Sequence, residues 1–120
     1  MKPKYIKQLQ ATSRDLDAVR VAKHQVLVES ATDPADAHLV TVRYEDGHTI
    51  YARCTCEWSQ HNGVACKHVM TALEELAATK GRTLSFWLTP EDARRQKQRT
   101  FYLARYSTDP DGVWITSRTA

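Results

Sequence analysis

Apolar and polar residues alternate most clearly between residues 38 and 54. Over 39–44, Val40, Val42 and Tyr44 alternate with a more polar set, and a second β-rich run over 49–53 leads into Cys54. The pair Asp46-Gly47 between the two runs is typical of the tight turn of a β-hairpin. The pattern therefore predicts a hairpin whose second strand ends at Cys54.

After the hairpin, apolar residues recur with the spacing of an α-helix. Val69, Leu73 and Leu76 have the i, i+4, i+7 spacing of one helical face, and Lys80-Gly81 is typical of the C-terminal end of a helix. This pattern predicts a helix from about residue 67 to 79. A second helix is predicted from Pro90 to about residue 99, because Thr89 is a natural N-cap and proline fits the first turn.

The flanking segments are predicted from composition and turn chemistry. Residues 15–23 contain good helix formers and predict a short helix, residues 24–30 predict a strand, and residues 33–36 predict the loop that ends it. Residues 100–106 and 113–116 are β-prone and are separated by turn residues, which predicts a terminal hairpin. A competing interpretation extends the helix from Pro90 through Tyr106.

These elements predict an α+β fold. Its centre is a β-hairpin or three-stranded antiparallel sheet packed on a helix, in a ββα arrangement, followed by a basic C-terminal helix and hairpin. Because no internal repeat or Gly/Ser linker interrupts the chain, we expect one domain over 1–120, with a core at 38–79 and a basic C-terminal extension at 80–120.

Composition narrows the class of protein. The chain has 42% apolar and 26% charged residues, which is typical of a globular protein. No apolar run is long enough to cross a membrane, and the first residues do not resemble a signal peptide, so we expect an intracellular protein, cytoplasmic if the organism is prokaryotic. In a reducing compartment, three cysteines indicate metal binding or chemistry more often than disulfides.

All three cysteines fall in one short stretch together with a histidine, and their spacing suits a metal. Cys54 and Cys56 are two apart at the end of a strand, so both sulfur atoms point the same way. Residues two apart on a helix lie about 200° apart, so Cys66 must precede the helix if it shares a metal with His68. Three thiolates and one imidazole satisfy Zn²⁺ and leave no open position, which indicates a structural site.

Other interpretations of the stretch stay open. The cysteines can be small buried hydrophobic residues, or Cys66 and His68 can form a nucleophile pair. His61 is a competing ligand but is expected to be a surface loop residue, and Trp58 is expected to cover the zinc site. Arg53 and Lys67 are expected to offset the net negative charge of the zinc site.

The motif C-x-C, nine residues, C-x-H, with a hairpin before it and Lys67-His68-Val69 opening a helix, resembles the SWIM zinc-finger family. Trp58 and Gly63 also stand where such fingers often place an aromatic residue and a turn glycine. The resemblance implies one zinc ion, held by Cys54, Cys56, Cys66 and His68. It also implies a small stand-alone member, because no helicase, transposase or kinase domain accompanies the motif.

Basic charge lies outside the cysteine stretch. Residues 91–106 have a net charge of +3, whereas residues 24–90 have a net charge of −3. Phosphate contacts are therefore expected from the cations near the second helix and from one beside the zinc site, namely Lys67, Arg94, Arg95, Lys97 and Arg99. The alternative is that this basic segment is simply a solvated face.

Aromatic residues near the basic segment have two possible roles. Phe101, Tyr102, Tyr106 and Trp114 are candidates for stacking nucleic-acid bases. Phe101 and Trp114 are nevertheless expected in the core, because aromatic residues in β-prone runs are usually buried.

The functional expectation is a non-enzymatic accessory module that binds nucleic acid, with DNA as the expected ligand. The alternative is a protein-interaction module that docks on a recombination, remodelling or transposition partner. A third interpretation, a thiol or hydrolytic enzyme, requires an exposed reactive cysteine. No membrane association and no small-molecule substrate are expected.

Overall fold

The computed structural model describes residues 3–30, 35 and 37–120. The loop predicted over residues 33–36 lies outside the described residues except for Ala35. Four helices and seven strands are described: α1 Ile6–Ser13, β1 Leu16–Ala22, β2 Gln25–Ser30, β3 Ala37–Tyr44, β4 Thr49–Cys54, α2 Glu57–Asn62, α3 Lys67–Ala78, β5 Arg82–Trp87, α4 Pro90–Arg94, β6 Arg99–Ala104 and β7 Val113–Thr119.

The strands form one sheet in the order β1-β2-β3-β4-β6-β7-β5. Neighbouring strands are antiparallel except β4 and β6, which run parallel. Helix α3 contacts β1, β2, β3, β4 and β5, so the sheet curls around this helix. None of the helices in the described part of the chain has the length and hydropathy that a bilayer crossing needs.

The core lies between α3 and the concave face of the sheet. Val40 and Val42 of β3 are at most 1% exposed, and Val69 and Met70 of α3 are 0% exposed. Alternate residues of a strand share a face, and in β3 and β4 it is every second side chain that is buried in this core. Burying one such side chain stabilises the fold by roughly 1.5–3 kcal/mol.

The mixed α+β class is confirmed, but the sheet is larger than predicted. The hairpin of β3 and β4 and the helix α3 form as expected, yet they are part of a seven-stranded sheet instead of a two- or three-stranded one. Residues 80–120 supply β5, β6 and β7 to the same sheet. Strand β5 and helix α2 were not predicted.

The helix predicted over residues 15–23 is wrong. This segment is β1, which pairs with β2 from Leu16 opposite Ser30 to Ala22 opposite Gln25. Cross-strand pairing overrides a weak helical propensity here, and the β-branched Val19 and Val21 suit an extended backbone. The strand predicted over residues 24–30 is confirmed as β2, and the N-terminal helix forms earlier, as α1.

The terminal hairpin is confirmed, because β6 and β7 pair antiparallel. The helix that begins at Pro90 is shorter than predicted and ends at Arg94, with Thr89 as its N-cap. The left-handed backbone of Lys97, with φ of 53°, is incompatible with a helix that continues through Tyr106.

The side chain of Gln10 caps the edge of the sheet at β5. Its Nε2 atom donates a hydrogen bond to the Leu84 carbonyl (2.9 Å), and its Oε1 atom accepts one from the Phe86 amide (3.3 Å). Gln10 is 4% exposed, so these bonds satisfy buried backbone groups as a further strand would. The side chain thus blocks pairing of β5 with another chain.

Replacing Gln10 with alanine is expected to lower the free energy of unfolding by about 2 kcal/mol, because buried peptide groups lose their partners. Denaturant unfolding measures this change. Gln8→Ala is the matched control, since Gln8 is an exposed glutamine of the same helix. Equal stabilities of the two variants would contradict the role of Gln10.

Candidate metal centre

Four side chains converge where β4 ends and α3 begins. The potential ligand atoms of Cys54, Cys56, Cys66 and His68 all lie within 4.8 Å of one another, and all four residues are buried. Cys54 ends β4, Cys56 is the N-cap of α2, and Cys66 is the N-cap of α3. Cys66 therefore precedes its helix, as the spacing predicts, and His68 lies in the first turn.

Each sulfur atom accepts a hydrogen bond from a backbone amide. The amides of Cys56, Ser59 and Val69 donate to the sulfurs of Cys54, Cys56 and Cys66, each at 3.4 Å. Two of these amides belong to the first turns of α2 and α3, where unpaired N–H groups favour negative charge. Helix ends therefore help to stabilise the thiolates, a contribution that was not predicted from the spacing.

Crowding of the three sulfur atoms governs their ionisation. Hydrogen bonds from Cys54 and Cys66 lower the pKa of Cys56. The hydrogen bond between Cys54 and Cys56 raises the pKa of Cys54 to about 12, and the hydrogen bonds of Cys66 with Cys54 and Cys56 raise the pKa of Cys66. Adjacent thiolates repel one another, so ionisation of all three thiols is unfavourable, and a bound divalent cation would supply the charge that offsets this repulsion.

The histidine of the cluster also fits a metal. His68 is 5% exposed, and its Nδ1 atom has no hydrogen-bond partner among the described residues. A buried ring nitrogen without a partner is costly, and coordination would remove that cost. The His38 ring lies 4.4 Å from the His68 ring, centroid to centroid, a neighbour that no spacing rule could reveal.

Residues 40–77 match the family model of the SWIM zinc finger. All four residues of the cluster lie within the segment that is similar to a SWIM zinc finger, and the cluster is compatible with one structural zinc ion. No curated protein and no solved structure matches the chain.

The loop between β6 and β7, residues 105–112, braces the zinc site. Arg105 donates a hydrogen bond from Nη1 to the carbonyl oxygen of Ser59 (3.4 Å), and Ser59 is the residue whose amide contacts the Cys56 sulfur. Gly63 has a φ of 130°, and a Cβ atom there would lie 2.9 Å from Cβ of Asp111. This turn therefore requires glycine, and the loop packs directly on it.

An ion pair fixes the shape of this bracing loop. Arg105 donates to both carboxylate oxygens of Asp109, from Nε at 3.0 Å and from Nη2 at 3.1 Å. Burial alone would raise the pKa of Asp109, but Arg105 and the amides of Arg105 and Asp111 outweigh it and lower the pKa. Neither member of the pair was assigned a role from the sequence.

The five predicted phosphate contacts do not form one patch. Lys67 is the first residue of α3, beside the zinc site, whereas the exposed Arg94 and Arg95 are the last residue and the C-cap of α4. Lys97 is exposed in the next connection, and Arg99 begins β6. β6 runs parallel to β4, and Arg99 is its first residue. Arg99 therefore lies near the end of the sheet where β4 begins, away from the end where β4 reaches the cluster.

Trp58 and His61 lie on α2, the helix that follows Cys56. Trp58 lies on α2 and is 39% exposed, and its proposed role as a cover over the zinc site stays a prediction. The backbone of His61 is helical, not a loop, and its side chain lies outside the described part of the structure. Charge compensation by Arg53 and Lys67 also stays a prediction.

The aromatic residues near the terminal hairpin divide between the two faces of the sheet. Phe101 packs against the core, as expected. Trp114 is half-buried and pairs with Tyr102 on the opposite face, so its predicted core position is wrong.

Purified protein is expected to contain one zinc ion per chain, and Cys66→Ser should abolish stoichiometric binding. Zinc-finger peptides bind zinc with about 10–16 kcal/mol, which exceeds the stability of most domains, so chelation should unfold residues 54–79. Metal analysis and hydrogen exchange measure these effects, and Thr55→Ser is the control. Folded protein with far less than one zinc would contradict the assignment.

Asp109→Asn is expected to lower the free energy of unfolding at pH 7 by about 3 kcal/mol, because Arg105 loses its charged partner. The contribution of the lowered pKa is present above the unfolded-state value of about 3.9 and is lost as the pH falls through the folded-state value. The difference from the wild type should therefore shrink in acid.

Asp92→Asn is the matched control for this variant. Asp92 pairs with Arg95 at 3.2 Å on the surface, and such exposed pairs contribute less than about 1 kcal/mol. Denaturant unfolding between pH 7 and 3 compares the two variants. A destabilisation at Asp109 no greater than that at Asp92 would contradict the bracing role of the buried pair.

Proposed function

We propose that this protein is a non-enzymatic, zinc-stabilised module that binds nucleic acid, with DNA as the expected ligand, as an accessory to a larger DNA-processing assembly. The observation that carries the proposal is a segment of four exposed cations, Arg94, Arg95, Lys97 and Arg99, on a zinc-finger protein. Among the described residues, only Arg95 of these four forms an ion pair. Arg94, Lys97 and Arg99 have no carboxylate partner among the described residues, although Arg99 lies over the Phe101 ring, so all three can contact phosphate groups.

The geometry of the zinc site supports a structural role for the metal. Four buried protein ligands would complete a tetrahedral shell, which leaves no position for a substrate or a water molecule. The cysteines are buried at 3–7% exposure, whereas catalytic thiolates need access to substrate. Both features favour a binding module over an enzyme.

A protein-interaction module is the second candidate, and the edge strand β1 favours it. Among the described residues, β1 pairs with β2 alone, and its second half is exposed, with Val19 at 55% and Val21 at 53%. Open strand edges with apolar side chains accept an added strand from a partner. Val19→Lys combined with Val21→Lys would block such pairing.

Binding to single-stranded DNA, duplex DNA and RNA is expected to weaken steeply with salt. Replacing Arg94, Arg95, Lys97 and Arg99 with glutamine should reduce the salt slope on duplex DNA by about 0.9 for each phosphate group that is no longer neutralised. Fluorescence anisotropy over a salt series measures both effects. The matched control replaces four other exposed cations, Arg20, Lys23, Lys80 and Arg118, and keeps the same net charge.

Two results would overturn the proposal. One is the absence of binding to all three nucleic acids, and the other is binding that does not respond to salt. A stoichiometric protein partner that survives nuclease treatment and no longer binds after the two valine substitutions would favour the second candidate.

A further inference from the structure

The face of the sheet opposite α3 carries an unexpected set of side chains. We call it the outer sheet face and define it by alternate strand residues: Thr41, Arg43, Tyr51, Arg53, Tyr102 and Trp114. Thr41 pairs with Arg53 and Arg43 with Tyr51, so these side chains share a face. The core residues Val40, Val42 and Ala52 point the other way, towards α3.

Aromatic rings run across three adjacent strands of this face. Tyr102 of β6 is the cross-strand partner of Trp114 of β7, and their ring centroids are 5.0 Å apart. Tyr102 also lies beside Thr49 of β4, which is two residues before Tyr51. All three rings are half-buried, so each is fixed by packing and still reaches solvent.

A groove of about 550 Å³ is lined by two tyrosine–arginine stacks, one formed by Tyr51 and Arg43 and the other by Tyr106 and Arg105. Arg43 lies 4.7 Å from the ring centroid of Tyr51, and Arg105 lies 5.3 Å from that of Tyr106. Tyr106 is 43% exposed. The volume falls within the range of small-ligand sites, about 300–1,000 Å³.

One positive charge in the groove is uncompensated. Arg105 is held by Asp109, and Arg43 pairs with Glu45. Arg53 is exposed and forms no ion pair with any residue that the structure describes. It also lines a second groove, of about 420 Å³, which extends to Cys54 and Thr55 beside the zinc site. Arg53 is therefore available to an anionic group lying along the two grooves.

We propose that the groove binds single-stranded nucleic acid, with bases stacked on Tyr51 and Tyr106 and a phosphate held by Arg53. The proposal rests on the proposed function, adds the groove as a second binding surface beside the four cations of residues 94–99, and names the type of strand. Base stacking on exposed rings beside a cation is how proteins hold single strands without reading sequence. Bases within a duplex are already stacked on one another, so a duplex offers these rings nothing to stack on.

Arg53→Gln and Tyr106→Ala test the proposal, because both residues are exposed and their replacement leaves the core intact. Fluorescence anisotropy would use labelled dT12, U12 and a 12-base-pair duplex. Tyr106→Ala should weaken binding of dT12 about ten-fold or more, whereas Tyr106→Phe should retain it. Arg53→Gln should reduce the single-strand salt slope by about 0.7, the value for one neutralised phosphate.

Matched controls lie outside the groove. Tyr5→Ala removes a tyrosine that is 67% exposed near α1, and Arg118→Gln removes an exposed arginine that lines a different cavity. Neither control should change binding of dT12. Comparison of dT12 with U12 distinguishes DNA from RNA as the preferred strand.

Different failures separate this proposal from the proposed function. Wild-type binding that persists in Arg53→Gln and Tyr106→Ala would overturn the groove and leave the proposed function standing. Duplex binding that is as tight as single-strand binding and equally sensitive to both variants would overturn the preference for single strands. Single-strand binding that weakens in the groove variants but not in Tyr5→Ala or Arg118→Gln would support the proposal, and absence of all wild-type binding would overturn both.

Discussion

The junction between the end of β4 and the start of α3 is the constraint on which the rest of the structure depends. Four ligand atoms within 4.8 Å of one another tie a strand to a helix at this point. The direction of α3 away from the junction determines which face of the sheet becomes the core, because this helix contacts five of the seven strands. A metal that closes the junction therefore stabilises the whole fold as well as the short loop that carries the ligands.

The zinc site depends in turn on residues far along the chain. Arg105 reaches the carbonyl of Ser59, Asp111 packs on Gly63, and the buried carboxylate of Asp109 holds Arg105 in position. The terminal hairpin is thus part of the support of the metal, although most of α3 and the whole of β5 and α4 separate it from the last ligand along the chain. Support for the cluster therefore extends beyond residues 40–77, to the loop between β6 and β7.

Local signals made the hairpin and α3 predictable, because Asp46-Gly47 and the period of Val69, Leu73 and Leu76 act over a few residues. The same holds for the ligand set, whose spacing implied that Cys66 precedes the helix. The failures came from long-range pairing: β1 is a strand because β2 lies beside it, and β5 depends on β7 and on Gln10. No spacing rule could show His38 beside His68 or the pair of Arg105 and Asp109.

The parallel pairing of β4 with β6 has a consequence for the order of folding. The partner of Thr49 is Tyr102, so β4 acquires its second neighbour only after β6 has been synthesised. Until then the strand that ends in a zinc ligand has one bare edge, which is a template for pairing with other chains. Metal capture, which needs only residues 54–68, can precede that pairing and hold the nascent hairpin against α3 while the edge is still open.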